Sequence, residues 1–116
     1  MTATTVMPIV VRRESGAEET FVLALEPNHL AFQGHFPGNP ILPGVIQVDW
    51  AVRLGTEAFG PLGAFSGMHN LKFMGLVRPG EPLTLFLTFD ANAGKLTFRY
   101  EGETERKSMG TIHFSR

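Results

Sequence analysis

Only one stretch of the chain has the length and composition of a long helix. It reads "PGVIQVDWAVRLGTEAF" and runs over residues 43–59, with a proline near the first turn, where a missing N–H has little effect. Apolar residues occupy most of its faces, so the pattern predicts a largely buried helix. A single buried helix must be covered by other elements, and the rest of the chain supplies strands.

The remaining segments are strand-like. "TVMPIVVRR" and "ETFVLALE", separated by "ESGAE", predict a β-hairpin with its loop around Gly16. After Gly60 come "AFSGMHNLKFMGLV", "PLTLFLTFD", "KLTFRYEG" and "RKSMGTIHF", with turns at "RPGE" and "ANAG". Five or six strands joined mostly by hairpin turns, together with one helix, predict an α+β fold in which the helix lies against one face of an antiparallel sheet.

Composition excludes several classes of function. The 116 residues suit one domain, and 43% hydrophobic with 18% charged residues argues against disorder. The net charge is -1 and there is no long Lys/Arg run, so the sequence does not indicate the basic surface that nucleic-acid binding requires. The absence of cysteine excludes disulfides, thiolate metal sites and cysteine nucleophiles. No secretory signal or membrane span is readable, so we expect a cytoplasmic protein.

A loop with a histidine at its centre precedes the helix. In "FQGHFPGNPILPG", three residues are followed by proline, which favours extended geometry, and three glycines allow tight turning. His35 is therefore held in a stiff loop. Imidazole titrates near neutral pH, and a fixed position favours proton transfer, so His35 is a candidate general base.

The start of the helix adds two further chemical groups. Gly44 and Val45 lie where a helix leaves N–H groups unpaired, and these can stabilise a developing oxyanion. Asp49 follows five residues later, roughly 7 Å along the axis. In the predicted apolar surroundings a carboxyl group would favour its protonated form and could act as a proton donor.

These segments also resemble a known family. "GHFPGNPILPGVIQVD" is similar to the active-site signature of the FabZ/FabA-type 3-hydroxyacyl-[acyl carrier protein] dehydratases, with the acid fourteen positions after the histidine. "LKFMGLVRPGEPL" resembles the strand and turn "KF…V.PGD.L" of that family, so the likeness covers about residues 28 to 88. "PILPGVIQVDWAVRLG" looks closest to the dehydratases of aryl polyene biosynthesis.

The resemblance implies a fold and a reaction. It implies a single hotdog dehydratase domain over residues 1–116, an antiparallel sheet wrapped around one central helix. The reaction would convert (3R)-hydroxyacyl thioesters to trans-2-enoyl thioesters, in fatty acid or aryl polyene type biosynthesis. The substrate would be carried on the phosphopantetheine of an acyl carrier protein, and no metal or redox cofactor would be needed.

The resemblance also implies roles for residues. His35 would be the catalytic base, Asp49 the acid, and the N–H groups of Gly44 and Val45 would bind the thioester carbonyl. The family forms dimers in which the histidine of one protomer faces the acid of the other, so a homodimer or a heterodimer with another hotdog subunit is expected. The acyl chain would lie in a tunnel along the interface.

Two positions depart from the family pattern. The acid is Asp49, as in the isomerising branch, where the FabZ branch has Glu, although the "HFPG" loop is FabZ-like. Four residues later Arg53 stands where these families usually have Gln. An Asp–Arg pair at this spacing would favour the ionised carboxylate and oppose a role as acid.

Other residues are assigned by their type. Phe32, Phe36 and Phe73 could line the tunnel while also filling the core. Lys72 and Arg78 could form a patch that receives the acidic carrier protein. The other three histidines are isolated in the sequence and give no helical metal-binding pair, so no metal site is predicted.

Two alternative functions remain open from the sequence. A hotdog thioesterase would attack the carbonyl with water and would not need the "GHFPG" loop, which favours dehydration. A non-catalytic subunit could pair with a catalytic hotdog protein, although both candidate catalytic positions are filled here.

Overall fold

The computed structural model describes residues 7–27, 29–32 and 40–115. Within these ranges the chain forms six strands, one α-helix and one turn of 3-10 helix at Leu30–Phe32. The remaining bounds are β1 Ile9–Glu14, β2 Glu19–Ala24, α1 Gly44–Phe59, β3 Ala64–Phe73, β4 Leu83–Asp90, β5 Lys95–Glu101 and β6 Arg106–Ser115.

The strands form one antiparallel sheet in the order β1-β2-β4-β5-β6-β3. Hairpins join β1 to β2, β4 to β5, and β5 to β6. The longer connection through α1 carries the chain to β3, which pairs with β6 at the far side. Strands β1 and β3 are therefore the two edges, and α1 packs on one face over β4 and β5.

The helix is bounded by residues suited to its ends. Pro43 precedes it with φ -62° and ψ 148°, and Gly60 follows it with φ 83°, donating its N–H to the Thr56 carbonyl at 2.9 Å. The positions facing the sheet recur at the helical spacing of three and four, and they are Gln47, Trp50, Ala51, Leu54 and Gly55.

The core fills the space between α1 and the concave face of the sheet. Alternate residues of β2, β4 and β5 point inward, because side chains alternate along a strand. The fully buried large side chains include Trp50, Tyr100, Phe21, Phe98, Leu54, Leu83, Leu85, Leu87, Leu96 and Ile112. This packing fixes one face of the helix and leaves its other face uncovered.

Edge strand β3 keeps many apolar side chains in contact with solvent. It pairs irregularly with β6, and Asn70 takes a positive φ of 56° at one irregularity. The exposed apolar side chains on β3 and just after it are Phe65, Met68, Leu71, Phe73, Met74 and Leu76. Monomeric proteins seldom expose so many neighbouring apolar groups without a binding role.

The predicted organisation is largely confirmed. The first hairpin, the helix, the later strands and both named turns lie where the sequence places them. The helix is less buried than predicted, because only one stripe faces the sheet, and Val45 has 75% of its surface exposed.

Candidate active site

The N-terminus of α1 presents backbone N–H groups without a side-chain cap. The Pro43 carbonyl accepts the N–H groups of Ile46 and Gln47, each at 3.1 Å. The N–H groups of Gly44 and Val45 come before these, and such positions lack an acceptor within a helix. Proline has no polar side-chain atom, so it cannot occupy them as Ser or Asp would. A carbonyl oxygen from outside the helix can bind there.

A buried polar network holds this end of the helix in place. Gln47 donates through Nε2 to the Leu42 carbonyl at 3.0 Å and accepts from the Ser108 hydroxyl through Oε1 at 2.6 Å. The Leu42 N–H in turn donates to the Val77 carbonyl at 2.7 Å. Both ends of the Gln47 amide are thus satisfied, which removes most of the penalty for burying it. The network ties the segment before the helix to β6 and to the segment before β4.

Tyr100 reaches the same turn of the helix from β5. Its hydroxyl donates to the Gln47 carbonyl oxygen at 2.6 Å, and its side chain is fully buried. Burial raises the pKa of Tyr100 well above its usual value, and the negative charge of Asp49 raises it further. Tyr100 therefore acts as a neutral hydrogen-bond donor beneath the candidate site.

Asp49 lies one helical turn beyond Gly44 on the uncovered side of α1. Its carboxylate accepts from Arg53 Nε at 2.7 Å, which confirms the ion pair predicted from their spacing. The burial expected for Asp49 is not found, because 42% of its side chain is exposed in the single chain. The reason is the direction of the helix: Asp49 points away from the stripe that packs on the sheet.

A groove runs beside this ion pair. It has a volume of about 470 Å³ and is lined by Met7, Asp49, Val52, Arg53 and Thr56. The groove gives a reactant direct access to the Asp49 carboxylate.

The other predicted site residues have different surroundings. His35 and Phe36 lie outside the described residues. Phe32 is buried in the core. Phe73 lies beside Gly44 at the end of β3, and it borders two cavities next to the helix N-terminus.

The basic residues divide into paired and exposed groups. Lys72 and Arg78 are exposed, and neither forms an ion pair with any other residue that the structure describes. Lys107 differs, since its side chain is only 7% exposed and its ammonium contacts Glu105 and the Leu76 carbonyl. The two exposed cations keep their charge available to a partner.

Two histidines treated as isolated in the sequence are neighbours in the fold. His69 of β3 and His113 of β6 stack with ring centroids 4.4 Å apart, and a ring nitrogen of each contacts the other. Desolvation lowers the pKa of His113, and the charges of His69 and Lys95 lower it further. The pair became adjacent through strand pairing between distant segments, which spacing alone does not reveal.

No cluster of three His, Asp or Glu side chains suited to a metal ion occurs in the described ranges. Within the same ranges, no helix has both the length and the apolar character required to cross a membrane.

Comparison with known proteins assigns the family. The ApeI dehydratase model, described as ApeI-like, matches residues 11–111. This chain belongs to the ApeI-like dehydratase family. The hotdog fold and the dehydratase class predicted from the sequence are confirmed.

Individual relatives agree with this assignment. The 3-hydroxyacyl-[acyl-carrier-protein] dehydratase FabZ of Acetivibrio thermocellus is 34% identical over 116 residues, covering 91% of this chain and 80% of that protein. FabZ of Oenococcus oeni is 43% identical over 70 residues, covering 54% of this chain and 50% of that protein. The chain therefore aligns with most of the first relative and with half of the second.

A solved structure is similar over nearly its whole length. It belongs to the dehydratase heterocomplex ApeI:P from Xenorhabdus doucetiae, with a TM-score of 0.86 and 36% identity. The match covers 94% of this chain and 98% of that chain. The relative is thus part of a dehydratase heterocomplex.

The sequence reasoning missed the polar network beneath the site. Gln47 and Tyr100 carried a signal, because each is a polar residue within a segment that predicts burial. Ser108 carried none, since nothing in "RKSMGTIHF" distinguishes a buried serine from an exposed one.

Proposed function

We propose that the chain removes water from (3R)-3-hydroxyacyl thioesters to form trans-2-enoyl thioesters. The observation that carries this is the uncapped helix start, where the Gly44 and Val45 N–H groups precede an accessible Asp49 by about one turn. The family assignment and the FabZ relatives support the same reaction.

Each candidate group has one role in the elimination. His35 takes a proton from C2, and the electrons of that C–H bond form the C2=C3 double bond while the C3–O bond breaks. Asp49 gives a proton to the departing hydroxyl, which leaves as water. The Gly44 N–H, together with that of Val45, stabilises the negative charge on the thioester oxygen during proton removal. The role of His35 rests on the motif, because the residue lies outside the described range.

Arg53 sets a condition on this mechanism. Arg53 Nε donates to a carboxylate oxygen of Asp49 at 2.7 Å, so the guanidinium occupies that oxygen as long as the pair is formed. The Arg53 side chain is partly exposed and can turn toward solvent. We infer that substrate binding separates the pair, which leaves the Asp49 carboxyl group free to face the departing hydroxyl.

We further propose that the substrate arrives on the phosphopantetheine of an acyl carrier protein and that no metal or redox cofactor takes part. Lys72 and Arg78 are the basic groups placed to receive an acidic carrier, since both are exposed. Elimination of water needs only acid and base groups, because the reaction involves no net oxidation or reduction.

Charge reversal tests the carrier patch. In Lys72→Glu with Arg78→Glu, we expect KM to rise for the carrier-bound substrate and to stay constant for the pantetheine thioester, which lacks the protein. Arg106→Glu is the matched control, because Arg106 is already paired with Glu101 at 2.8 Å. Equal changes with both substrates would contradict a carrier-specific patch.

We propose that the active form is a dimer, either of two copies or of this chain with another hotdog subunit. The apolar residues exposed on edge strand β3 support such an interface. The heterocomplex reported for the Xenorhabdus relative supports the mixed form. In a dimer of two copies, His35 of one protomer would face Asp49 of the other.

The reaction and the assembly can be tested together. Wild type, His35→Ala and Asp49→Asn are assayed with a 3-hydroxyacyl thioester by enoyl absorbance and mass loss of water, alone and with a second hotdog subunit from the same genome. Light scattering gives the oligomeric state of each sample.

The outcomes separate the possibilities. Activity of a homodimer that both substitutions abolish supports the two roles and excludes an obligate heterodimer. Activity only in the mixed assembly, lost with both substitutions, supports a catalytic subunit of a heterodimer. Mixed activity that survives both substitutions would show that this chain is the non-catalytic member.

A further inference from the structure

The ring of Phe73 lies directly against the N-terminus of α1. A Cβ atom added to Gly44 would lie 2.6, 2.7 and 3.1 Å from three atoms of that ring. The two shorter distances are below those found between a real Cβ atom and its neighbours. The ring therefore approaches this closely only because residue 44 is glycine. The aromatic ring and the proposed carbonyl-binding N–H group are therefore immediate neighbours.

Two separate cavities flank this contact. One has a volume of about 340 Å³ and lies between the segment before α1 and the segment after β3, reaching Gln47 and Val77. The other has a volume of about 250 Å³, lies between α1 and β3, and reaches Val48 and Met68. The residues they have in common are Gly44 and Phe73.

Each cavity alone is small for an acyl substrate. Sites for small molecules begin at roughly 300 Å³. The smaller cavity is below that size and the larger is close to it, whereas the two joined would lie well within the usual range. Since both cavities border the Phe73 ring, its position affects whether they connect.

In the single chain the Phe73 side chain is partly exposed while its backbone is held. Its side chain is 49% exposed, although it is the last residue of a paired strand. The next two N–H groups, of Met74 and Gly75, both donate to the Lys107 carbonyl, at 2.9 and 3.1 Å. Rotation of a partly exposed side chain takes place on the picosecond to nanosecond scale. The ring can therefore turn without unpairing the strand.

We propose that Phe73 is the residue that sets acyl chain length, its ring closing off the second cavity until a long chain displaces it. This rests on the proposed function, since the acyl chain would extend from a thioester carbonyl bound at Gly44. Short chains end in one cavity. Longer chains continue past the turned ring into the other, and displacing the ring lowers their reaction rate.

The test compares Phe73→Ala and Phe73→Leu with wild type on the 3-hydroxybutanoyl, 3-hydroxyoctanoyl and 3-hydroxydodecanoyl thioesters of pantetheine. The assembly used is whichever is active with wild type. We expect kcat/KM for the long chains to rise relative to the short chain, by up to about fourfold for each methylene newly buried. Phe73→Trp should shift the preference toward the short chain.

Phe65→Ala is the matched control. Phe65 is also an exposed aromatic residue of β3, but it borders neither cavity, so its removal should leave the length preference unchanged in a variant that light scattering shows to keep the wild-type assembly. Thermal unfolding of each variant establishes that it is folded, and Phe73→Leu keeps the test valid if the alanine variant is unstable.

Two failures can be told apart. If wild type converts none of the thioesters in any assembly, the proposed function is wrong. If wild type is active and the relative kcat/KM values of folded Phe73→Leu and Phe73→Trp equal those of wild type, the proposed function stands. The proposal that Phe73 sets acyl chain length is then wrong.

Discussion

Replacing Tyr100 with phenylalanine should remove one specific source of alkaline instability. Tyr100 is the only tyrosine in the chain, is fully buried, and donates to the Gln47 carbonyl at 2.6 Å. Burial raises its pKa well above the usual value near 10, with a further contribution from Asp49. The folded protein should therefore keep the phenol proton at a pH where the unfolded chain has lost it.

The sign and size of the effect follow from proton linkage. Below about pH 10 both states hold the proton, and the hydrogen bond contributes its full stability. Above that pH the unfolded state binds one proton fewer than the folded state. The free energy of unfolding then falls by about 1.4 kcal/mol for each pH unit from this one group. The loss continues until the pH reaches the raised pKa of the folded state.

Urea unfolding at a series of pH values measures this slope. The single tryptophan, Trp50, is fully buried and reports unfolding by fluorescence. Tyr100→Phe should lose about 1 kcal/mol at neutral pH, because one hydrogen bond disappears. Above about pH 10 its stability should decline less steeply than that of wild type, by about 1.4 kcal/mol per unit. Lysines titrate in both proteins, so the difference isolates the phenol.

The same residue provides an independent optical check. With one tyrosine, phenolate absorbance should stay absent from the folded protein at high pH and appear only as the chain unfolds. Phenolate forming in the folded protein with a midpoint near 10, or equal slopes for the two proteins, would refute the reasoning.

Three further substitutions, one of them with a matched control, test the site and its frame. Gly44→Ala should lower kcat by up to about a hundredfold with little change in thermal unfolding, because the methyl group meets the movable Phe73 ring beside the carbonyl-binding N–H. Gly94→Ala should destabilise the fold by at least about 2 kcal/mol in urea unfolding, since φ is 67° and the new Cβ would lie 2.1 Å from a backbone oxygen of β6. Gly80→Ala, with φ 87° and no atom within 4 Å, is its control and should show only the smaller backbone effect, of about 1 kcal/mol. Ser108→Ala should cost about 1–3 kcal/mol, as it leaves a buried amide oxygen without its donor, and calorimetry would measure the loss.

The sequence predicted the elements because its local signals agree. The helix lies between a proline and a glycine at its two ends, and each hairpin has turn residues between strand-like runs. Turn chemistry and periodicity act over a few residues, so a single sequence reveals them.

The surroundings of Asp49 could not be predicted in the same way. Valines at 45, 48 and 52 lie outside the buried stripe of α1, so the apolar pattern alone did not show which side packs on the sheet. The stripe at Gln47, Trp50, Ala51 and Leu54 is clear only when the sheet is in place. A buried glutamine on that stripe needs partners, and Ser108 lies 61 residues away, beyond the reach of local reasoning.

The apolar residues outside that stripe bear on both the proposed site and the proposed assembly. One cavity is bordered by Val45 and Val48 of the helix and by Met68, Leu71 and Phe73 of β3. It lies where the N–H groups proposed to bind the carbonyl begin. In the single chain this cavity is open to water, and water weakens the interaction between an N–H group and a developing oxyanion. A second subunit placed over β3 would cover the apolar groups and exclude that water in one step. Under the proposed function, such a partner would complete the site at the half-exposed Asp49 and the uncapped helix start.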